Sequence, residues 1–182
     1  MIDIADPRFG EAEQAAVADV LESGMVADGP VVRQFESEFA DYCEADHAVA
    51  TANGTAALVT ALDAVGIGDG DTVVTTPFSF VASANAIRLV GAEPVFADID
   101  PETYNLDPDL ARAAVRDHDA DAILAVHLYG LPADMSELAA VADEEGVRLV
   151  EDAAQAHGAH YDVRPWVPSA TPGPSRFTRR RT

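Results

Sequence analysis

Apolar positions recur along the chain with two different periods. Residues 10–23 place Ala15, Val17, Val20 and Leu21 at helical spacing, and residues 31–44 do the same with Val32, Phe35, Phe39 and Tyr42. Gly24 and the Gly29-Pro30 pair break the chain between these two helices. Beyond them the pattern alternates. Short apolar runs at His47–Thr51, Thr72–Thr76, Pro94–Ala97, Ala122–Val126 and Val147–Val150 read as buried strands, with helical segments near 55–65, 79–90, 107–117 and 134–145. Strands and helices in regular succession predict an α/β fold: a mostly parallel sheet with helices on both faces.

One run carries more than packing information. Arg148 to Gly158 reads RLVEDAAQAHG, an apolar stretch that ends in Glu151 and Asp152 before small residues, Gln155 and His157. A strand of this kind delivers a side chain to the carboxyl edge of the sheet, where open α/β folds bind ligands. Burying a carboxylate there is costly unless it is paired. Asp152 is therefore expected to meet a cationic partner.

Composition narrows the classes. The 182 residues are enough for one domain with a real core. The net charge is −21, and all 11 basic residues are arginine, so the chain contains no lysine. Such an acidic excess argues against a nucleic-acid or anionic-membrane surface. It fits a solvated, halophilic surface whose self-repulsion is screened by salt. The single Cys43 forms no internal disulfide and points to a cytoplasmic setting. No apolar run has membrane-spanning length, and MIDIADPRFG does not read as a signal peptide.

Three further stretches can carry chemistry. Asn53-Gly54-Thr55-Ala56 joins the first expected strand to a helix, which suits either a plain helix cap or a phosphate site built from backbone N–H groups and a hydroxyl. In Pro77-Phe78-Ser79-Phe80, one phenylalanine is expected in the core and the other can stack on a flat ring. His127-Leu128-Tyr129-Gly130 ends the fourth expected strand, its His and Tyr reading equally as structural residues or ligand contacts. His47 and His118 read as structural or solvent-facing. The His157–His160 pair lacks further ligands, and no metal site is expected. A phosphate cradle, an aromatic plate and a strand-end aspartate together suit a flat, phosphorylated ligand with a protonated ring nitrogen. Pyridoxal 5′-phosphate has all three features. No Gly-x-Gly-x-x-Gly follows a strand, which weighs against a dinucleotide site.

The segments GPVVRQFESEFADYCEADHAVATANGTAAL, TPFSFVASANAI, DIDPETYNLDPD, HLYGLPADM and EDAAQAHGA resemble, in order, the DegT/DnrJ/StrS family of pyridoxal-phosphate-dependent sugar aminotransferases. The resemblance implies the large domain of a fold-type-I transferase, a three-layer α/β/α sandwich that is incomplete here. It also implies amino transfer from glutamate or glutamine to a nucleotide-linked keto-sugar, in a homodimer serving nucleotide-sugar or polysaccharide biosynthesis. On the same basis Gly54, Thr55 and Ala56 would hold the cofactor phosphate and Phe80 would stack on its ring. Asp152 would pair with the ring nitrogen, and Gln155 would lie near the 3-hydroxyl.

The resemblance covers residues 5–162 and then stops. The family's catalytic lysine, which bonds the cofactor and then shuttles a proton, belongs to a later segment, so no catalytic residue is assigned in this chain. Residues 163–182 hold five arginines and no acid, leaving residues 1–162 with six arginines against 32 acids, or −26. Back-translated with codons chosen for a GC-rich gene and read from the third base, this tail becomes PSVGSLGDAGAFSFYATKNM. The result resembles the family's missing segment, with its lysine codon spanning Arg180 and Arg181. The expected organisation is thus an N-terminal part of the major domain over 1–162 and a basic, out-of-frame tail over 163–182. Such a chain is expected to be inactive and to associate or remain molten when expressed alone. A dehydratase of the same family and a non-catalytic binding or regulatory protein are the alternatives.

Overall fold

The computed structural model describes residues 7–161 and the backbone of residues 164 and 165. Two helices lead, α1 (Glu11–Ser23) and α2 (Pro30–Tyr42). Glu13 reaches back to accept the Gly10 N–H at 2.6 Å, which satisfies a donor that the first turn of α1 leaves open. Gly24 ends that helix at φ 72°, a left-handed conformation that costs glycine little. Pro30 opens α2 where its missing N–H loses nothing. Both helices lie close to their expected bounds, yet α1 buries none of its residues. Val17 (61%), Leu21 (64%) and Phe35 (52%) all stay exposed, so the stripe of α1 is uncovered among the described residues, while that of α2 is covered only in part, at Ala40 and Phe39.

The first expected strand does not form. Residues 47–51 take no regular secondary structure and pair with no strand, and Val49 is exposed. An apolar run becomes a strand only if a neighbour takes its backbone groups. Here the side chain of Glu36 does so locally, accepting the Ala50 N–H at 2.8 Å while Arg33 pairs with its other oxygen at 2.6 Å.

The remaining elements follow the expected alternation: α3 (Gly54–Ala64), β1 (Thr72–Thr75), α4 (Ala82–Leu89), β2 (Glu93–Phe96), α5 (Pro108–His118), β3 (Ala122–Val126), α6 (Met135–Glu145) and β4 (Arg148–Asp152). The four strands form one parallel sheet in the order β2-β1-β3-β4. β3 runs through the middle with all five residues buried, which is why its sequence is unbroken AILAV rather than alternating.

Strand parity divides the core into two apolar clusters. Val73, Leu124 and Val150 meet Leu58 and Leu62 of α3 and Ala86 and Ile87 of α4. Val74, Ile123 and Leu149 meet Ala111 and Val115 of α5 and Leu138 and Val141 of α6. Each fully buried Leu, Ile or Val contributes about 1.5–3 kcal/mol relative to exposure, so both faces supply the drive to fold. After β4, His160–Tyr161 (β5) pairs antiparallel with Arg164–Pro165 (β6). The second of these strands falls in the stretch whose sequence shows no strand period; the rest of that tail lies outside the described residues.

Candidate active site

The topology places a crevice before any side chain is considered. β1 leads into α4 on one face of the sheet, whereas its neighbour β3 leads into α6 on the other. Two adjacent parallel strands whose connections leave in opposite directions open a cleft at their carboxyl ends. A cleft of about 310 Å³ lies there, lined by Pro77, Phe78, Ser79 and Phe80 after β1, Tyr129 after β3 and Gln155 after β4. A larger groove of about 570 Å³ lies between α1 and α2. Its walls are mostly apolar, with Asp19, Ser23, Gln34 and Glu38 as the polar positions, and none of the site residues expected from the sequence lines it.

Asp152 ends β4 at 8% exposure, on the α3–α4 side of the sheet by parity with Val150. Ser83, in the first turn of α4, donates to its Oδ2 at 2.7 Å, and the Ala154 N–H donates to Oδ1 at 3.2 Å. No described arginine or histidine forms an ion pair with it. The cationic partner expected for Asp152 is thus not a side chain of the described residues, which instead fix the carboxylate by hydrogen bonds. Ser79, in the cleft wall, lies 3.1 Å from the Ser83 hydroxyl and links the carboxylate to the cleft.

Glu151, one residue earlier, faces the α5–α6 side. It lies 3.1 Å from Nε2 of His127, which is fully buried, and the Ala133 N–H donates to His127 Nδ1 at 3.1 Å. A backbone amide can only donate, so Nδ1 is the acceptor and Nε2 carries the proton toward Glu151. Of the two readings open for His127, the structure selects the structural one. Tyr129 is 79% exposed at the cleft, with a left-handed φ of 54°.

Gln155 holds that turn in place. Its Oε1 accepts the Tyr129 N–H at 2.9 Å, leaving the side-chain NH₂ as the group available to a ligand. The phenylalanines depart from expectation, because neither is core. Phe78 is 44% exposed and packs on Tyr104 with ring centroids 5.9 Å apart; Phe80 is 69% exposed on the cleft wall. A core position was expected for one of them because phenylalanine is usually buried, but both follow β1 on the open crevice rather than under a helix.

At the start of α3, Asn53 caps the helix by accepting the Ala56 N–H at 2.9 Å. The N–H groups of Gly54 and Thr55 have no partner among the described residues, and a side chain added at Gly54 would meet nothing within 4 Å. The site there is open, with two free amides and the Thr55 hydroxyl; the Ala56 amide is already engaged. His47 and His118 are exposed, and His157 packs edge-on against Phe39 at 5.5 Å. Ser83 is the residue that sequence reasoning missed. It has no motif of its own, and its partner is 69 positions away.

A doubly covered parallel sheet, a cleft at its switch point and a buried strand-end aspartate define the large domain of a fold-type-I aminotransferase, present here in part. More narrowly, the chain belongs to the DegT/DnrJ/EryC1/StrS aminotransferase family, whose model matches residues 7–166. It is 48% identical over 150 residues to the dTDP-3-amino-3,4,6-trideoxy-alpha-D-glucose transaminase of Streptomyces venezuelae, covering 82% of this chain and 39% of that protein. The crystal structure of an aminotransferase from Psychrobacter cryohalolentis superposes with a TM-score of 0.83 at 44% identity, covering 87% of this chain and 40% of the other. The ntda protein of Bacillus subtilis, solved with bound cofactor PMP, matches with a TM-score of 0.77 at 33% identity, covering 82% of this chain and 34% of that one. The chain thus spans about two fifths of the length of the curated relatives it matches. No described helix is long and apolar enough to cross a membrane.

Proposed function

We propose that this chain is the cofactor-binding part of a pyridoxal-phosphate-dependent aminotransferase acting on a nucleotide-linked keto-sugar, with glutamate or glutamine as amino donor. The observation that carries the reading is Asp152. It is a buried carboxylate, fixed at both oxygens, with no cationic partner among the described residues. A protonated ring nitrogen is the partner such a group needs.

The residues present fit that cofactor. The free amides of Gly54 and Thr55 and the Thr55 hydroxyl bind its phosphate at the positive end of α3. Ala56 joins them only if Asn53 gives up its N–H. Phe80 stacks on the ring from the cleft wall, and the Gln155 NH₂ donates to the ring hydroxyl. When bound, the cofactor supplies an electron sink for the carbon that changes partners. Asp152 holds the proton on the ring nitrogen that keeps the sink effective.

These 182 residues contain no lysine, and an arginine cannot stand in for the amine that bonds the cofactor and moves the proton. The chain as given therefore binds the cofactor without a covalent link and does not turn it over. The complete enzyme works as a homodimer in the cytoplasm, within nucleotide-sugar or polysaccharide biosynthesis. In support, the Streptomyces venezuelae relative is a transaminase named for a dTDP-linked amino sugar.

The test uses pyridoxamine 5′-phosphate, whose binding requires no lysine. Fluorescence titration of the protein expressed from its own gene is expected to show saturable binding. Asp152→Ala is expected to weaken it by about tenfold or more, the effect of losing a charged hydrogen bond. Binding that is indifferent to Asp152→Ala sinks the assignment of the ring nitrogen.

A further inference from the structure

We propose that Ser83 is a positioning residue for the cofactor, acting through Asp152 as the inner member of a directed hydroxyl chain that starts in the cleft wall. The inference rests on the reading above, since it concerns how the same site holds its carboxylate.

The argument begins with one proton. Ser83 is 1% exposed, and its hydroxyl has a single hydrogen to give. Three oxygens compete for it or share it: Asp152 Oδ2 at 2.7 Å, the Phe80 carbonyl at 3.3 Å and Ser79 Oγ at 3.1 Å. A carboxylate oxygen is the strongest acceptor of the three, and it is also the nearest. The Ser83 proton therefore goes to Asp152, so the Ser83–Ser79 contact must run the other way, with Ser79 donating. The chain Ser79 to Ser83 to Asp152 is thus polarised toward the carboxylate, each donor strengthening the next.

The second part is geometric. The Ala154 N–H takes Oδ1 while Ser83 takes Oδ2, so the plane of the carboxylate cannot rotate without breaking one of the two. The two donors come from different elements, the turn after β4 and the first turn of α4. Because Ser83 and Ile87 lie one helical turn apart on the buried face of α4, the packing of that helix on the sheet sets the angle at which Asp152 meets the ring. Ser79 stands where the cleft wall meets this chain, and its remaining lone pairs are open to a ligand donor.

The experiment compares wild-type protein, expressed from its own gene, with Ser83→Ala, Ser83→Thr and Ser79→Ala. Two readouts are taken: the affinity for pyridoxamine 5′-phosphate and the nitrogen-15 shift of its ring-labelled form when bound. Ser83→Ala is expected to weaken binding by about threefold, less than Asp152→Ala, because its bond to the carboxylate exists before the ligand arrives and only the positioning is lost. It should also move the ring shift from the protonated toward the neutral position. Ser83→Thr, which keeps the hydroxyl, should restore both, and Ser79→Ala should move the ring shift in the same direction by less. If Ser83→Ala binds as tightly as wild type with an unchanged ring shift, Ser83 does not position Asp152 and the inference falls alone. If the wild-type protein leaves the ring nitrogen neutral or does not bind the compound, the assignment of Asp152 falls first and takes this inference with it.

Discussion

At the scale of the residue, adjacent acids at the end of one strand have unlike fates because parity sends them to opposite faces. Asp152 is fixed by a hydroxyl and an amide, with no ion-pair partner among the described residues. Glu151 is matched to a neutral imidazole whose other nitrogen is committed to the Ala133 amide. His127 therefore ties the end of β3, the turn before α6 and β4 together from a fully buried position. His127→Ala is expected to remove both bonds and leave a void, lowering stability by about 2–4 kcal/mol, which a urea midpoint would report. A change within 0.5 kcal/mol would mean the pair contributes little to the fold.

At the scale of the element, the start of α3 is where folding and binding make competing demands. Asn53 caps the helix through the Ala56 amide, and a phosphate at the same turn would want that amide too. Asn53→Ala is expected to cost about 1 kcal/mol in the unfolding free energy of the ligand-free protein. Its affinity for inorganic phosphate should hold or rise, measured by calorimetry, because a competing acceptor is gone. A fall in affinity would show that Asn53 helps to shape the site rather than compete for it.

Most elements were legible before any coordinates, and the failures are instructive. β1, β3, β4 and all six helices have local signatures: short buried apolar runs, helical periodicity, Asp107 and Asp134 as caps. β2 forms near its expected place, but at the sheet edge its residues are exposed or half-buried rather than buried as expected. The run at 47–51 has the same apolar signature but no strand beside it, and the sequence of a strand does not name its neighbour. Asp152 stood out in the sequence because it ends a strand at the ligand edge, whereas Phe80, in the loop after β1, was singled out only by the family resemblance. Ser83 was not, because a serine in an amphipathic helix becomes notable only when a carboxylate 69 residues later is seen to lie against it. His127 was readable as polar and strand-terminal, but only the Ala133 amide decides its role.

At the scale of the whole molecule, the sheet is well covered and the leading helices are not. Val17 and Leu21 on α1, Met25 in the turn after it, and Val31 and Phe35 on α2 expose apolar surface. An uncovered surface of that kind favours association. The net charge of −21 opposes it, more weakly as salt screens the repulsion. The 182-residue chain is therefore expected to form larger species as salt is raised, followed by light scattering at fixed protein concentration. A monomer that persists at molar salt and unfolds in one cooperative step would contradict this.

The two-sidedness of β4 also constrains how this protein can change over generations. Substitutions along the strand alter one face at a time, so the packing against α6 and the environment of Asp152 can drift separately. A change in length cannot be so confined: losing one residue before Glu151 would turn the isolated acid toward the imidazole and the paired one toward the cleft. Variation in this strand is thus open to spelling and closed to spacing.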